Sequence, residues 1–326
     1  MANILVTGGA GYIGSHACKA LAKAGYTPIA YDNLVYGHSW AVLWGPLEKG
    51  DIADKSRLDK IISRYKPEAV MHFAAYAYAR ESVQNPVKYY RNNVAGSSIL
   101  LETVLDHDID KFIFSSSCAI YGMPEVLPIP EKHTQCPINP YGSSKLIVER
   151  MLRDLDVAHG IRSVSLRYFN AAGADIDAEI GEDHNPETHL IPLVLDTALD
   201  RRPSIAIYGD DYPTPDGTCI RDYIHVVDLV DAHILGLMYL EKGGKTACYN
   251  LGNGQGFSVN EVIETAHRVT GKEIPTVLSP RQAGDTPVLI ADARLAMKNL
   301  GWSPQYPALE TQIMHAWEWH QRQFKA

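Results

Sequence analysis

Tyr141 and Lys145 form the residue pair in this sequence that most directly indicates chemistry. They stand four positions apart at the start of a helical pattern that extends to residue 159, and this spacing places both side chains on one helix face. A tyrosine with the ordinary pKa of about 10 is a poor base at neutral pH, but a neighbouring ammonium group favours its ionised form. The pair could therefore remove a proton from a substrate hydroxyl group as a general base. Because the bare spacing also occurs by chance, its context must decide whether it is functional.

Serine hydroxyl groups lie upstream of this pair, at Ser115, Ser116 and Ser117. They follow a predicted strand over residues 111–115, and ligands of open α/β sheets bind at the carboxyl ends of strands. A hydroxyl group there could bond both a substrate hydroxyl and the Tyr141 oxygen, and so relay a proton. A serine-rich junction between a strand and a loop would give the same letters. The position next to the Tyr141 helix favours the catalytic interpretation.

The segment from Val6 to Gly14 places Gly8, Gly11 and Gly14 between a predicted strand and a predicted helix. Glycines at such a junction allow a tight turn and a close approach of the backbone to a pyrophosphate. The free N–H groups at the helix N-terminus then bind the phosphate charge. This motif predicts a dinucleotide-binding loop.

Asp32 and Asn33 follow the second predicted strand, over residues 27–31. A carboxylate at this point accepts hydrogen bonds from the adenosine ribose hydroxyl groups and repels a 2′-phosphate. The sequence therefore favours NAD over NADP. Two turn residues after a strand would be the simpler explanation if the glycine motif were absent.

Strand and helix patterns alternate through the first half of the chain, which indicates parallel strands joined by crossover helices. We expect an α/β fold with a Rossmann-type doubly wound parallel sheet in an NAD-binding domain of residues 1–170. Helices are predicted over residues 55–64, 83–105 and 141–159. Glycine and proline then accumulate, and residues 171–326 are predicted to form a smaller mixed α/β substrate lobe, with part of 221–250 returning to the first domain.

Composition excludes several classes of protein. The formal net charge of −8 at pH 7 disfavours a nucleic-acid or anionic-membrane partner. No uncharged apolar stretch reaches the roughly 20 residues that span a bilayer, and no secretion signal is recognisable at the N-terminus. The 5 cysteines show no zinc-binding spacing and indicate free thiols in a reducing compartment. We therefore expect a cytoplasmic protein without a metal site.

Together these motifs resemble the nucleotide-sugar 4-epimerases of the extended short-chain dehydrogenase/reductase family, over essentially the whole chain. The resemblance implies that Ser117, Tyr141 and Lys145 are the catalytic residues. The predicted cofactor-binding residues are Gly8, Gly11, Tyr12, Ile13, Gly14, Asp32, Asn33, Asp51, Ile52, Phe73, Ala74, Ala75, Asn92, Ser115, Tyr141, Lys145 and Tyr168. The predicted substrate-binding residues are Ser117, Tyr141, Phe169, Asn170, Leu190, Arg221 and Asp285.

The function implied by the resemblance is interconversion of UDP-glucose and UDP-galactose. Hydride transfer at C4 would pass through a 4-keto sugar that turns over and is reduced on its other face. Three positions depart from the family pattern. Those at Gln282 and Leu289 keep another UDP-sugar open as substrate, namely a UDP-N-acetylhexosamine, a UDP-pentose or UDP-glucuronate, whereas the one at Ala77 concerns the affinity for the cofactor. Ala77 replaces a cofactor-contacting lysine, Gln282 replaces an arginine next to Arg281, and Leu289 stands where some members place a tyrosine.

Two rival functions are disfavoured. Nucleotide-sugar dehydratases are similar to one another in carrying Thr-Asp-Glu at this place, where the present chain has Ser117, Cys118 and Ala119. No carboxylate is therefore available there to eliminate water. A non-catalytic NAD-binding module would have no need of Tyr141 and Lys145. The helical patterns over 83–105 and 141–159 resemble the pair through which family members dimerise, and we expect a homodimer.

Overall fold

A parallel sheet of seven strands forms the centre of the molecule in the computed structural model, which describes residues 1–282 and 284–324. Its strands are β1 Asn3–Thr7, β2 Thr27–Asp32, β3 Leu47–Lys49, β4 Ala69–His72, β5 Lys111–Ser115, β6 Arg162–Tyr168 and β11 Ala247–Leu251. Their order is β11-β6-β5-β4-β1-β2-β3, and each neighbouring pair is parallel. The chain therefore builds outward in both directions from β1, which leaves a crevice at the carboxyl ends of β1 and β4.

Helices cover both faces of this sheet. The helices that pack on it are α1 Tyr12–Lys23, α2 Lys55–Tyr65, α5 Ser97–Asp106, α6 Pro140–His159, α8 Val226–Glu241 and α10 Arg294–Leu300. Alternate strand residues face opposite layers, so that Ile113 of β5 packs with α8 whereas Phe112 and Phe114 pack with α5 and α6. The two buried clusters on either side confirm the predicted doubly wound α/β fold.

The prediction of one helix over residues 83–105 is wrong. The segment is divided into α3 Ala79–Gln84, α4 Pro86–Tyr89, a π-helical stretch Tyr90–Gly96, and α5. Pro86 ends the first helix because it lacks an N–H group and forces Asn85 out of the helical region, to φ −128° and ψ 58°. In the π-helical turn Asn93 exchanges hydrogen bonds with the backbone of Tyr76, 2.9 Å each, which ties this turn to the loop after β4.

In the described part of the chain after residue 170, short strands and three helices form the smaller lobe. They are β7 Asn170–Ala172, α7 Leu190–Ala198, β8 Ile205–Tyr208, β9 Ile220–Arg221, β10 Tyr223–His225, β12 Phe257–Ser258, α9 Val259–Thr270, β13 Thr276–Ser279, β14 Val288–Leu289 and α11 Leu309–Phe324. The core of this lobe lies between α7, α9 and α11, where Val194, Val262 and Ile313 are fully buried. Both α8 and β11 instead join the layers of the central sheet.

None of the helices within residues 1–282 and 284–324 combines the length and the apolar character needed to cross a membrane.

Candidate active site

A cavity of about 420 Å³ lies at the carboxyl ends of the central strands, between the sheet and the smaller lobe. Every predicted site residue lines it except Asp51 and Asp285. Enclosure between two lobes is the usual position of a cofactor and substrate site.

The glycine loop after β1 is shaped for a close backbone approach. Gly8 has φ +75°, and a Cβ atom on it would lie 2.6 Å from the backbone nitrogen of Ala74. A Cβ atom on Gly14 would lie 2.0 Å from the carbonyl oxygen of Gly8. Gly11 precedes α1 without a capping side chain, and the first turn of α1 holds no acidic residue. The N-terminal amides of α1 are therefore available for an anion, which fits the diphosphate of a dinucleotide.

Asp32, at the end of β2, is fixed beside this loop. Its carboxylate accepts hydrogen bonds from the backbone N–H groups of Ala10, at 3.0 Å, and Leu34, at 2.8 Å. Burial raises the pKa of Asp32, and the two backbone donors act against that shift. Asp51 lies outside the cavity lining but accepts a hydrogen bond of 2.9 Å from the Asn33 amide. Asp32 is thus placed to accept from ribose hydroxyl groups, whereas Asp51 orients its neighbour.

The start of α6 brings Tyr141, Lys145 and Ser117 together. Asn139 caps the helix by accepting from the Gly142 N–H group at 2.8 Å, and Pro140 occupies the first turn. The Tyr141 hydroxyl group is hydrogen-bonded to that of Ser117. The Lys145 ammonium group donates to the Ser115 carbonyl oxygen at 2.8 Å and lies 5.8 Å from the centre of the Tyr141 ring. A phenol, a hydroxyl and an amine therefore share one wall of the cavity.

Burial shifts the pKa values of these groups toward their neutral forms. It raises the pKa of Tyr141 well above the ordinary value, with the nearby Tyr168 adding to the shift and the Ser117 hydrogen bond opposing it. It lowers the pKa of Lys145 to about 7, against the opposing charge of Glu149. The protein alone therefore does not supply the lowered tyrosine pKa that a general base requires. The positive charge of the oxidised nicotinamide ring acts in the needed direction when NAD is bound.

A second layer of contacts supports this wall from behind. The Ser116 hydroxyl group donates to Glu149 at 2.6 Å, and the Arg167 guanidinium group contacts the same carboxylate at 2.6 and 2.9 Å. The Ser115 hydroxyl group lies 2.6 Å from the Tyr168 hydroxyl group. All three serines of the cluster are thus held in place by α6 and β6.

The smaller lobe contributes Asn170, Leu190, Arg221 and Leu289 to the cavity. Arg221 is held by the carbonyl oxygens of Ile220, at 2.9 Å, and Thr286, at 2.7 Å. Arg281 instead pairs with Asp211 and stacks on the Tyr212 ring at 4.1 Å, outside the cavity lining. Of these two arginines, Arg221 is the one placed to meet a substrate phosphate.

Comparison with known proteins agrees with this geometry. Residues 4–252 match the sequence profile of the NAD dependent epimerase/dehydratase family. The curated UDP-glucose 4-epimerase of Rhizobium meliloti (strain 1021) is 51% identical over 320 residues, which cover 98% of this chain and 97% of that protein. The chain belongs to the NAD-dependent epimerase/dehydratase family. The resemblance seen in the sequence and the prediction of NAD as cofactor are thereby confirmed.

Solved structures of other members of the NAD-dependent epimerase/dehydratase family have the same fold. The UDP-glucose 4-epimerase of Brucella ovis in complex with NAD has a TM-score of 0.95 and 52% identity, covering 98% of each chain. The UDP-glucose 4-epimerase of Bifidobacterium longum in complex with NAD⁺ and UDP has a TM-score of 0.94 and 36% identity, covering 99% of each chain.

Part of the cavity of this family member was not predicted from the sequence. Tyr36, Tyr76 and Tyr78 line it from the sheet side, and Glu182, His184 and His189 line it from the loop before α7. The density of histidine and glutamate over residues 182–189 is a recognisable signal in the sequence. Because that stretch shows no helical or strand periodicity, it resembles an ordinary connection between the lobes.

Proposed function

We propose that this member of the NAD-dependent epimerase/dehydratase family is a UDP-glucose 4-epimerase that interconverts UDP-glucose and UDP-galactose. The observation that carries the proposal is the convergence of Tyr141, Ser117 and Lys145 beside a dinucleotide-shaped glycine loop in one cavity. Full-length similarity to curated enzymes of that name supports the reaction class.

The chemistry that NAD would supply when bound is to accept a hydride from C4 of the sugar and to return it to the same carbon. Tyr141 removes the proton of the 4-hydroxyl group, and Ser117 holds the same oxygen by a hydrogen bond. The product of this half-reaction is a 4-keto sugar. Tyr141 returns its proton to the 4-oxygen after the sugar has turned, so the overall reaction changes configuration without net oxidation. When the Lys145 amine is protonated, its positive charge favours the ionised form of Tyr141.

Anchoring of the nucleotide allows the sugar to turn. Arg221 presents a guanidinium group from the smaller lobe, and such a group matches the oxygens of a diphosphate. Binding energy from the UDP part retains the substrate without tight contacts to the sugar. The proposed assignments of Phe169, Asn170 and Leu190 to the substrate rest on their places in the lining of the same cavity.

A second candidate substrate class is UDP-N-acetylhexosamine. Leu289 lines the cavity and is half-buried, and it stands where some relatives place a larger tyrosine. A smaller side chain leaves space beside the sugar for an N-acetyl group.

The experiment is to incubate the purified protein, without added NAD, separately with UDP-galactose, UDP-glucose, UDP-N-acetylglucosamine and UDP-xylose, and to resolve the products by chromatography. We expect interconversion of UDP-galactose and UDP-glucose from retained cofactor. If only another UDP-sugar is converted, the proposed mechanism stands and that sugar replaces UDP-glucose as the assigned substrate. The absence of any epimer, even with NAD supplied, would refute the proposal.

We further propose that the enzyme is a homodimer that pairs through α6 and the helices between residues 79 and 106. Exposed apolar side chains on the latter support this, with Val83 63%, Val87 67% and Tyr90 39% exposed. Light scattering after gel filtration should give twice the chain mass for the wild type. Val87→Glu should shift the mass toward the monomer, whereas Val277→Glu, at an exposed valine on β13, should not.

A cytoplasmic location is part of the proposal. All 5 cysteines are free, as is usual for proteins of a reducing compartment. Cell fractionation with an antibody to the protein tests this assignment.

A further inference from the structure

Four potential metal ligands converge in the loop that precedes α7. They are Glu182, His184, Glu187 and His189, and one ligand atom from each lies within 4.8 Å of the others. We call this set the His–Glu cluster. Three of its members, all but Glu187, also line the cavity. No residue of the proposed catalytic set belongs to it.

Two spacings in the cluster are those of the edges of a metal tetrahedron. The His184 Nδ1 atom lies 3.4 Å from a carboxylate oxygen of Glu182 and 3.4 Å from one of Glu187. Zinc bonds of about 2.0–2.2 Å to nitrogen and oxygen in tetrahedral geometry separate the ligands by roughly 3.3–3.5 Å. The contact between His189 and Glu182 is shorter at 2.5 Å and must open by about 1 Å when the ion binds.

His184 lies between the two carboxylates of the cluster. Its buried Nδ1 atom is 3.4 Å from an oxygen of each and makes no hydrogen bond of normal geometry to either within the described residues. A cation placed between these groups would bind the ring nitrogen and both carboxylates at once.

Glu187 is already positioned as a ligand. One of its carboxylate oxygens accepts from the backbone N–H groups of Thr188, at 2.7 Å, and His189, at 2.8 Å. The other oxygen is directed at His184. Such support around a ligand is typical of metal sites, where outer contacts fix the orientation of the coordinating group.

The carboxylates of the cluster are paired with its histidines. Glu182 is 5% exposed and Glu187 11% exposed, and each contacts both imidazole rings. A divalent ion would enter this network by displacing protons from the imidazole groups, as metal binding to histidine generally does.

We propose that Glu182, His184, Glu187 and His189 bind one divalent ion of the zinc class in a tetrahedral site at the rim of the cavity. Four protein ligands close the coordination sphere, which is typical of a structural site. The ion fastens the loop of residues 182–189 beside Tyr12 and Tyr78, whose rings pack edge-on against His184 at 6.4 and 6.2 Å. Leu190, the next residue, begins α7 and lines the cavity.

Another group of acidic residues, Asp175, Asp177 and Glu179, carries no such site. The Lys19 ammonium group lies between them, at 2.6–3.0 Å from each carboxylate. An amine of the protein itself already compensates that cluster.

Metal content of the untagged holoenzyme is the first test. The protein is treated with a chelator, exposed to Zn²⁺, freed of excess metal, and analysed by elemental mass spectrometry. We expect one equivalent of zinc per chain, and Co²⁺ in its place should give the intense visible absorption of a four-coordinate ion. Trace zinc only, or Co²⁺ with the weak spectrum of an octahedral ion, would overturn the proposal.

Variants locate the ion. Zinc affinity, measured by competition with a chromophoric chelator, should fall at least ~100-fold in His184→Gln and in Glu187→Gln, because loss of a ligand costs no less than loss of an outer contact. His159→Gln, at an exposed histidine, should bind zinc like the wild type. Wild-type affinity in both cluster variants would contradict the assignment. Should a variant fail to fold, the Co²⁺ spectrum of the wild type still decides, and metal content is independent of epimerase activity.

Discussion

At the scale of single residues, burial and charge act against each other in the proposed catalytic wall. Tyr141 and Lys145 are one helical turn apart, and both are pushed toward their neutral forms by the cavity that surrounds them. A neutral phenol is a hydrogen-bond donor and not a base. Activity therefore depends on charges that enter with the cofactor, and the Ser117 hydrogen bond keeps the phenol oriented until then.

Replacing Tyr141 with phenylalanine should lower kcat for UDP-galactose by about 10²–10⁴-fold, the contribution typical of a general base. NAD content, read from the absorbance of the purified protein, should fall far less than kcat, because only one of the many predicted cofactor contacts is removed. Tyr26→Phe is the matched control, since the Tyr26 hydroxyl group bonds Glu241 far from the cavity. Wild-type turnover in Tyr141→Phe would exclude this residue as the base.

At the scale of elements, a buried ion pair fixes α6 to the central sheet. The side chains of Glu149 and Arg167 are 0% and 2% exposed, and their closest atoms are 2.6 Å apart. The Ser116 hydroxyl group completes the carboxylate contacts. Because Glu149 lies two turns after Tyr141 on α6 and Ser116 adjoins Ser117, this pair sets the distance between the proposed base and its serine partner.

Glu149→Gln should destabilise the protein by about 3–5 kcal/mol, since it leaves the Arg167 charge buried and unpaired. The double variant with Arg167→Met should be less destabilised than the sum of the two single variants, as urea unfolding of all four proteins would show. The exposed pair of Glu102 and Lys55 provides a control, and Glu102→Gln should leave the unfolding midpoint nearly unchanged. Strict additivity in the cycle would disprove the coupling.

The glycine loop can be tested with two glycines of similar backbone conformation. Gly8 has φ +75° and Gly271 has φ +64°, but only Gly8 has neighbours within 4 Å of the position that a Cβ atom would take. Alanine at Gly271 should therefore cost only the strain of a left-handed residue, about 1 kcal/mol. Alanine at Gly8 should also displace the glycine loop from the segment that follows β4 and deplete bound NAD. Equal NAD content in the two variants would contradict this role of the loop.

At the scale of the whole molecule, buried histidines make the fold sensitive to acid. Burial lowers the pKa of His16, His233 and His320 to about 4, and of His72 and His225 to about 3. The unfolded chain binds protons at these groups below about pH 6.5. Because the unfolded state then holds more protons than the folded state, stability falls as the pH drops from 6.5 toward 4.

His233→Met should flatten this dependence. His233 packs between Phe73 and Tyr168, so methionine keeps an apolar contact there while removing the titrating group. Between pH 6.5 and 4 the free energy of unfolding of the variant should depend less on pH than that of the wild type, by up to about 1.4 kcal/mol per pH unit. His159→Gln should retain the wild-type slope. An unchanged slope in His233→Met would show that this group does not titrate on unfolding in that range.

Local patterns in the sequence were enough to predict the doubly wound sheet, the glycine loop and the shared helix face of Tyr141 and Lys145. Each of these follows from spacing within a few residues, because strand and helix periods are local properties. The cofactor also follows from local pattern, since Asp32 stands at the end of the strand that follows the glycine motif. The break at Pro86 also follows from the local sequence, whereas the π-helical turn over residues 90–96 could not be predicted, because it depends on contacts of Asn93 with a distant loop.

Only the tertiary structure decided which distant residues meet. The contact of Arg167 with Glu149 and the position of Asp51 behind Asn33 arise from packing of separate elements. The proposed metal site follows only in part from local pattern, because histidines and glutamates are concentrated over residues 182–189 but this loop has no regular period that would place them on one face. Folding against the sheet turns the histidines and carboxylates of that loop toward one point beside the cavity. Such convergence depends on long-range contacts, which no local pattern encodes.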